Sequence, residues 1–239
     1  MVSISGLWQT LAASRLLWLT ITLLAFLGAR WVCTRVAAPW ANPVLLSILA
    51  VAALLLATST PYQTYFSAVQ FIHFLLGTAT VALAVPLYRR LDKLRKLLGP
   101  LAIALLAGSL TSILSAVALG AALGASSPTL RSLAPKSVTT PIAMGISEKI
   151  GGLPPLTAVL VILTGIFGAI IGGPLLDLLK VRDQSSRGFA IGVASHGIGT
   201  ARAFESSEES GAFAGLGMGL NGILTAILIP ILSALLGWI

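Results

Sequence analysis

Six apolar runs constrain this chain more than any other feature: Leu16–Val36, Val44–Thr58, Val69–Tyr88, Leu98–Leu123, Leu156–Leu179 and Ala212–Ile239. A helix of roughly 20 apolar residues spans the hydrocarbon core of a bilayer. All but Val44–Thr58 reach that length, and this shorter run crosses with little tilt or lies partly in the interface. Only 9% of the residues are charged, where a soluble domain carries about a quarter. The shortage extends along the whole chain. The sequence therefore reads as an all-α polytopic membrane protein, one integral membrane domain over residues 1–239, with about six to eight membrane segments. Met1–Thr10 holds no base, and the apolar core after Arg15 is long. The first run thus reads as a retained helix rather than a cleaved signal.

Charge placement sets the expected topology. The net charge of +8 comes from 15 Lys plus Arg against seven acids, the usual basic bias of cytoplasmic loops. Nucleic-acid binding needs a solvated basic domain, and none is visible. Two stretches concentrate the bases: "RRLDKLRK" (Arg89–Lys96) and "KVRDQSSR" (Lys180–Arg187). Both read as short cytoplasmic loops. The runs Leu98–Leu123 and Leu156–Leu179 already bring them to one side of the membrane. The segment between, Ser127–Ile150, must then add no full crossing, although "TTPIAMGI" is apolar enough to enter the membrane. A re-entrant hairpin or a broken helix resolves this conflict.

Two internal echoes support a repeat. "TVALAVPLYRRL" (Thr80–Leu91) aligns without gaps on "TTPIAMGISEKI" (Thr139–Ile150), and "KSVTTPIA" (Lys136–Ala143) on "HGIGTARA" (His196–Ala203). Secondary transporters are often built from internal repeats, with sites on discontinuous helices at the repeat interface. Successive units would then alternate in orientation.

Polar residues gather where helix breakers gather. In "APKSVTTPIAMGISE" (Ala134–Glu148), Pro135 and Pro141 lack a backbone donor, and Ser137, Thr139 and Thr140 offer hydroxyls. Unwound backbone at membrane depth is tolerated only when buried in protein or lining a watery cavity. The plainer alternative is an ordinary loop between helices. Lys136 either snorkels to an interface or faces an anionic solute, and Glu148 and Lys149 read as a solvated helix end. In "GFAIGVASHGIGTARAFE", glycines stand at 188, 192, 197 and 199. They serve close helix packing or close approach of backbone to a ligand. On a continuous helix His196 and Arg202 would diverge, whereas a break at Gly197–Gly199 lets both face one cavity. The alternative pairs Arg202 with Glu205 at a helix end and leaves His196 in an interfacial loop. Ionisable residues inside a bundle are costly and usually functional.

Enzyme signatures are poor. "VASHG" lacks the order of a nucleophile elbow. His73 and His196 have no metal-ligand spacing, and no P-loop occurs. The single Cys33 can close no internal disulfide and is a poor metal ligand alone. His73, among Phe71, Phe74 and Leu75, reads as packed or interfacial. No enzyme, metal site or cofactor is expected.

"SVTTPIAMGISEKIGGLPPLTAVLVILTGIFGAIIG", "RGFAIGVASHGIGTARAFE" and "GAFAGLGMGLNGILTAILIP" resemble the LrgB/CidB membrane-protein family, and "TATVALAVPLY" resembles that family's earlier motif. The likeness runs from Asn42 to the C-terminus, leaving residues 1–41 as an N-terminal helix outside it. One departure is "GTAT" where the family reads Gly-Pro-Ala-Thr. Thr78 replaces the proline, and Pro86 is left as the breaker of that unit.

The resemblance implies a multi-pass protein of the bacterial plasma membrane, the cell inner membrane, and two functions. Bacterial members are described as holin/antiholin-like modulators of murein hydrolase activity and lysis, beside a small LrgA/CidA-like membrane partner. Plastid relatives resemble carriers of glycolate and glycerate, and some bacterial relatives are linked to pyruvate. A homo-oligomer is compatible with either. A lesion-forming holin has no need of Lys, His and Arg beside Gly and Pro breaks. A carrier of small monocarboxylates (the glycolate, glycerate, lactate or pyruvate class) needs a positive charge or helix N-termini facing the anion. It also needs hydroxyl donors and, for proton coupling, a protonatable group. The expected site is Lys136, Ser137, Thr139, Thr140, His196, Gly197, Gly199, Thr200 and Arg202. Arg202 would grip the carboxylate with its planar fork, and His196 would load and release a proton near neutral pH.

Overall fold

The computed structural model describes residues 14–36, 41–82, 84–235 and 237. Met1–Thr10 and the His73 side chain lie outside what is described. The described residues form eleven helices and no strand, and the chain divides into two compact units, residues 1–82 and 83–239.

The first unit holds α1 (Arg15–Val36), α2 (Pro43–Ala57), α3 (Tyr62–Ala68) and α4 (Gln70–Ala82). α2 starts at a capped end. Asn42 Oδ1 accepts from Val44 N (2.9 Å) and Leu45 N (3.1 Å), and Pro43 occupies the first turn, where its missing donor costs nothing. Fully buried Trp18 is the unit's anchor. Its ring meets Tyr65 edge-on, centroids 5.6 Å apart, with Ala68, Leu54 and Leu55 around it. α4 runs unbroken through Thr78, whose hydroxyl donates back to Leu75 O (2.8 Å). The departure from the family's proline thus leaves a continuous helix there. The apolar run Val69–Tyr88 is helical in its described part on both sides of residue 83, as α4 and as α5 (Ala84–Tyr88) of the second unit, and residue 83 lies outside the described residues.

The second unit continues with α6 (Leu91–Ala122), α7 (Ser127–Leu133), α8 (Thr140–Lys149), α9 (Pro154–Leu178), α10 (Gln184–Ser206) and α11 (Glu208–Leu235). Among the described residues α1, α6, α9 and α11 are long and apolar enough to cross a membrane, and α2 is a shorter apolar helix. The stretch Arg89–Lys96 is not the loop that its charge suggests. Only Arg89 and Arg90 lie in a turn, and α6 begins at Leu91. Asp92 suits the positive end of the helix. Leu94 and Leu97 extend the apolar face onto Leu101, Phe189, Val193 and Phe213, so the helix outlasts its apolar run.

Both basic stretches meet at one end of this unit. Lys93 Nζ donates to Asp183 and Glu209, each at 2.7 Å, and Arg187 donates to Asp177 at 2.7 Å. Burial pushes the Asp183 carboxyl up, but hydrogen bonds from Lys93, Ser185 and Ser186 outweigh it and hold the group well below the usual carboxylate range. α6 leads from this basic end to the opposite one, where Gly120 lies under Leu130 and Leu133. α9 leads back.

Two helical hairpins fill the space between the long helices. The first comprises α7, the turn 134–139 and α8. At its base Leu153 N donates to Ser132 Oγ (2.7 Å), and the Thr157 hydroxyl lies within hydrogen-bond distance of Ser132 O (3.1 Å) and Ser147 Oγ (2.7 Å). Ser147 thus returns beside Ser132, and the segment enters and leaves at the opposite end. The second hairpin is α10 itself, reversed at His196 (φ 42°, ψ −136°). Its first arm, residues 184–195, lies parallel to α11: Gly188 faces Ser210, Gly192 faces Ala214, and Phe189 faces Gly217. Its second arm, residues 197–206, runs back antiparallel: Gly197 faces Met218, and Phe204 covers Gly211. Ser207 Oγ then reaches Gln184 Oε1 at 3.4 Å. The two hairpins enter from opposite ends, matching the alternation expected of the repeat, and the second echo falls on their tips.

Candidate functional site

The hairpin tips meet midway along α6, α9 and α11. At the first tip Thr139 adopts an extended conformation (φ −63°, ψ 146°) and starts α8 without a side-chain cap. Val138 and Ala143 bury against Val161 of α9. Ser137 Oγ and Ser112 Oγ of α6 share a 2.5 Å hydrogen bond. Lys136 Nζ donates to both hydroxyls, at 3.2 Å to Ser112 and 3.3 Å to Ser137.

At the second tip His196 is 4% exposed and Thr200 is 3% exposed. The ring Nε2 lies 2.9 Å from Val161 O. A carbonyl oxygen only accepts, so Nε2 carries the proton. Gly165 gives the ring its space: a Cβ there would stand 2.6 Å from Cε1. Thr200 Oγ1 donates to His196 O (2.8 Å), occupying a carbonyl beside the reversal. A positive φ is costly for a non-glycine residue and persists only where surroundings enforce it. Here the Val161 and Thr200 bonds do so. The reversal falls at His196 itself, ahead of the expected Gly197–Gly199 break. Gly199 lets the arms close, since a Cβ on it would stand 2.9 Å from Ile191 Cγ2.

Asn221, near the middle of α11 and 1% exposed, joins the two tips. Its Nδ2 donates to Ser137 O (3.2 Å) at the first tip and Val193 O (3.0 Å) in the second hairpin. Its Oδ1 accepts from Ser109 Oγ of α6 (2.6 Å) and Thr225 Oγ1 (3.3 Å).

Of the expected residues, Lys136, Ser137, Thr139 and Thr140 stand at the first tip, and His196, Gly197, Gly199 and Thr200 at the second. Arg202 is not brought to this junction. It lies on the outgoing second arm, exposed, with its guanidinium on the Glu205 carboxylate, which is the helix-end pairing. Sequence reasoning missed Ser109, Ser112 and Asn221. Their signal was polarity inside apolar runs, a Ser/Thr cluster (Ser109, Thr111, Ser112, Ser115) in one and the single Asn221 in another, because a polar side chain there must find a partner.

Electrostatics single out Lys136. Among the described residues every ion pair lies elsewhere, so its ammonium has hydroxyl partners and no carboxylate. An ammonium has three donors, two of them spent on the serines. The two hydroxyls spend one hydrogen on each other. One N–H and one O–H are therefore left at the junction. α8 and the second arm of α10 both begin at the tips, so two helix N-termini add positive potential. The described residues contain no His/Cys/Asp/Glu group able to hold a metal ion.

A family model described as the LrgB-like family matches residues 22–235. The chain belongs to the LrgB-like family. The match begins inside α1, earlier than the Asn42 limit of the motif likeness. Among its relatives is "Uncharacterized protein YwbG" of Bacillus subtilis (strain 168), 36% identical over 214 residues, which cover 90% of this chain and 95% of that one. "Holin-like protein CidB" of Staphylococcus epidermidis (strain ATCC 12228) is 33% identical over 197 residues, 82% and 86% of the two chains. "Holin-like protein CidB" of Staphylococcus aureus (strain Mu50) is 30% identical over 220 residues, 92% and 96% of the two chains. No solved structure matches. Family and long apolar helices together make this LrgB-like chain a multi-pass bacterial membrane protein.

Proposed function

We propose that this LrgB-like protein is a secondary carrier of small monocarboxylates, of the glycolate, glycerate, lactate or pyruvate class. The observation that carries the reading is Lys136. Among the described residues its ammonium has no acidic partner; it is held at the meeting point of two opposed hairpins, with one ammonium and one hydroxyl donor to spare. Two donors match the two oxygens of one carboxylate, and a single unpaired cation suits a monoanion over a dianion. Opposed re-entrant elements meeting inside a bundle recur in secondary transporters, where half-helix N-termini face anionic groups. Arg202 leaves the proposed binding set, because its charge is answered by Glu205.

The test is uptake of labelled glycolate, lactate and pyruvate into proteoliposomes holding only this protein. Saturable uptake whose KM Lys136→Ala raises about tenfold or more supports the carrier, and an imposed pH gradient reads proton coupling. Uptake no faster than in protein-free liposomes overturns it. The names of the CidB relatives, "Holin-like protein", favour a second reading, a holin-like membrane component; a small LrgA/CidA-like partner belongs to that reading only through the family resemblance. Release of a large trapped dye from the same vesicles, with no saturable acid uptake, would establish that alternative.

A further inference from the structure

We propose that Asn221 is the positioning residue of this site: its carboxamide sets the spacing of the two hairpin tips and thereby the place of Lys136. The functional half of this proposal rests on the carrier reading above.

A carboxamide offers two N–H donors and an oxygen with two lone pairs, and all four positions are used. Both tip groups, Ser137 O and Val193 O, are backbone carbonyls that only accept, so the nitrogen must face them. The oxygen then faces the Ser109 and Thr225 hydroxyls. Ser137 is covalently next to Lys136, and Val193 is three residues before the reversal at His196. One side chain on a long helix thus holds a group from each hairpin. Nothing else of its size substitutes. Aspartate keeps the shape but sets an oxygen against two carbonyl oxygens. Leucine keeps the bulk and leaves the buried carbonyls without a donor, which burial makes costly.

The experiment measures two quantities in one series, Asn221→Asp, Asn221→Leu and Asn221→Gln. The first is the KM for labelled lactate in proteoliposomes. The second is tip spacing, read as cross-linking yield between cysteines at 142 and 197 in a Cys33→Ser background. Ile142 packs on Gly222 and Gly197 faces Met218, so the two positions touch α11 at residues one helical turn apart, about 6 Å along its axis. A bifunctional maleimide of the length that gives the highest wild-type yield reads whether the tips stay joined. Asn221→Asp and Asn221→Leu should lose cross-linking and raise KM about tenfold or more, while Asn221→Gln recovers part of both. An unchanged cross-linking yield in Asn221→Asp overturns the proposal, and so does a lost yield with unaltered KM. If Asn221→Leu fails to insert, Asn221→Asp alone decides. If the wild type carries no acid at all, the carrier reading falls, and the cross-linking yield still judges Asn221.

Discussion

Replacing Gly192 by alanine should separate the second hairpin from α11. A Cβ at Gly192 would overlap the Ala214 carbonyl oxygen and stand 2.7 Å from both the carbonyl carbon and Cα of that residue. Carbon–carbon contacts settle at about 3.5–4.0 Å, so the arm must retreat by about 1 Å. The obstacle is backbone on both sides, with no side chain free to rotate away. Overpacking typically costs about 1–3 kcal/mol, and this geometry argues for the upper end. Alanine's better helix propensity returns about 1 kcal/mol, leaving a net loss of about 2 kcal/mol. Gly219→Ala is the matched control on α11, since nothing lies within 4 Å of a Cβ there. It should gain about 1 kcal/mol from propensity alone. The two variants then differ by about 3 kcal/mol, or about 6–12 °C in melting temperature for a domain of this size. Thermal unfolding of the purified proteins in one detergent measures the gap. A Gly192→Ala protein melting at or above wild type would refute the close packing of arm and helix.

The remaining predictions concern charge. Lys136→Ala should raise the KM for a monocarboxylate by about tenfold to a hundredfold, the worth of one charged hydrogen bond, with Lys136→Arg retaining part of the affinity in the same uptake assay. Exchanging Arg202→Glu with Glu205→Arg should leave uptake within about twofold, because exposed pairs contribute little beyond their helix; loss of uptake would return Arg202 to the site. Asp183 titrates below its unfolded value. Its contribution is therefore complete above the ordinary carboxylate range, about pH 4, and is lost as pH falls below it. Acid unfolding followed by circular dichroism should be steeper in wild type than in Asp183→Asn.

The two polar motifs supplied the hairpin tips of the site, and polar residues inside the long apolar runs supplied the rest. Lys136 and His196 stood out because charge beside Gly and Pro is rare in apolar sequence, and both lie at the junction. Arg202 stood out for the same reason but found Glu205 three residues away, a local solution that spacing alone could not rank against a distant one. Ser109, Ser112 and Asn221 were invisible as a group because their partners lie on four different elements.

Composition and the length of the apolar runs alone determined that the chain is helical and spans membranes, because runs of that length have no other stable solvent. Charge asymmetry alone determined that Arg89–Lys96 and Lys180–Arg187 share a side, which the Lys93–Asp183 bond now places at one end of the second unit. The position of the α10 reversal was left to the tertiary structure. Local preference favoured Gly197–Gly199, yet the turn sits on His196, whose positive φ is tolerated because Val161 O holds its ring and Gly165 leaves it room. The meeting of the two tips was decided there too, since a hydrogen bond from α11 to two separate hairpins is a long-range contact that no stretch of sequence encodes by itself.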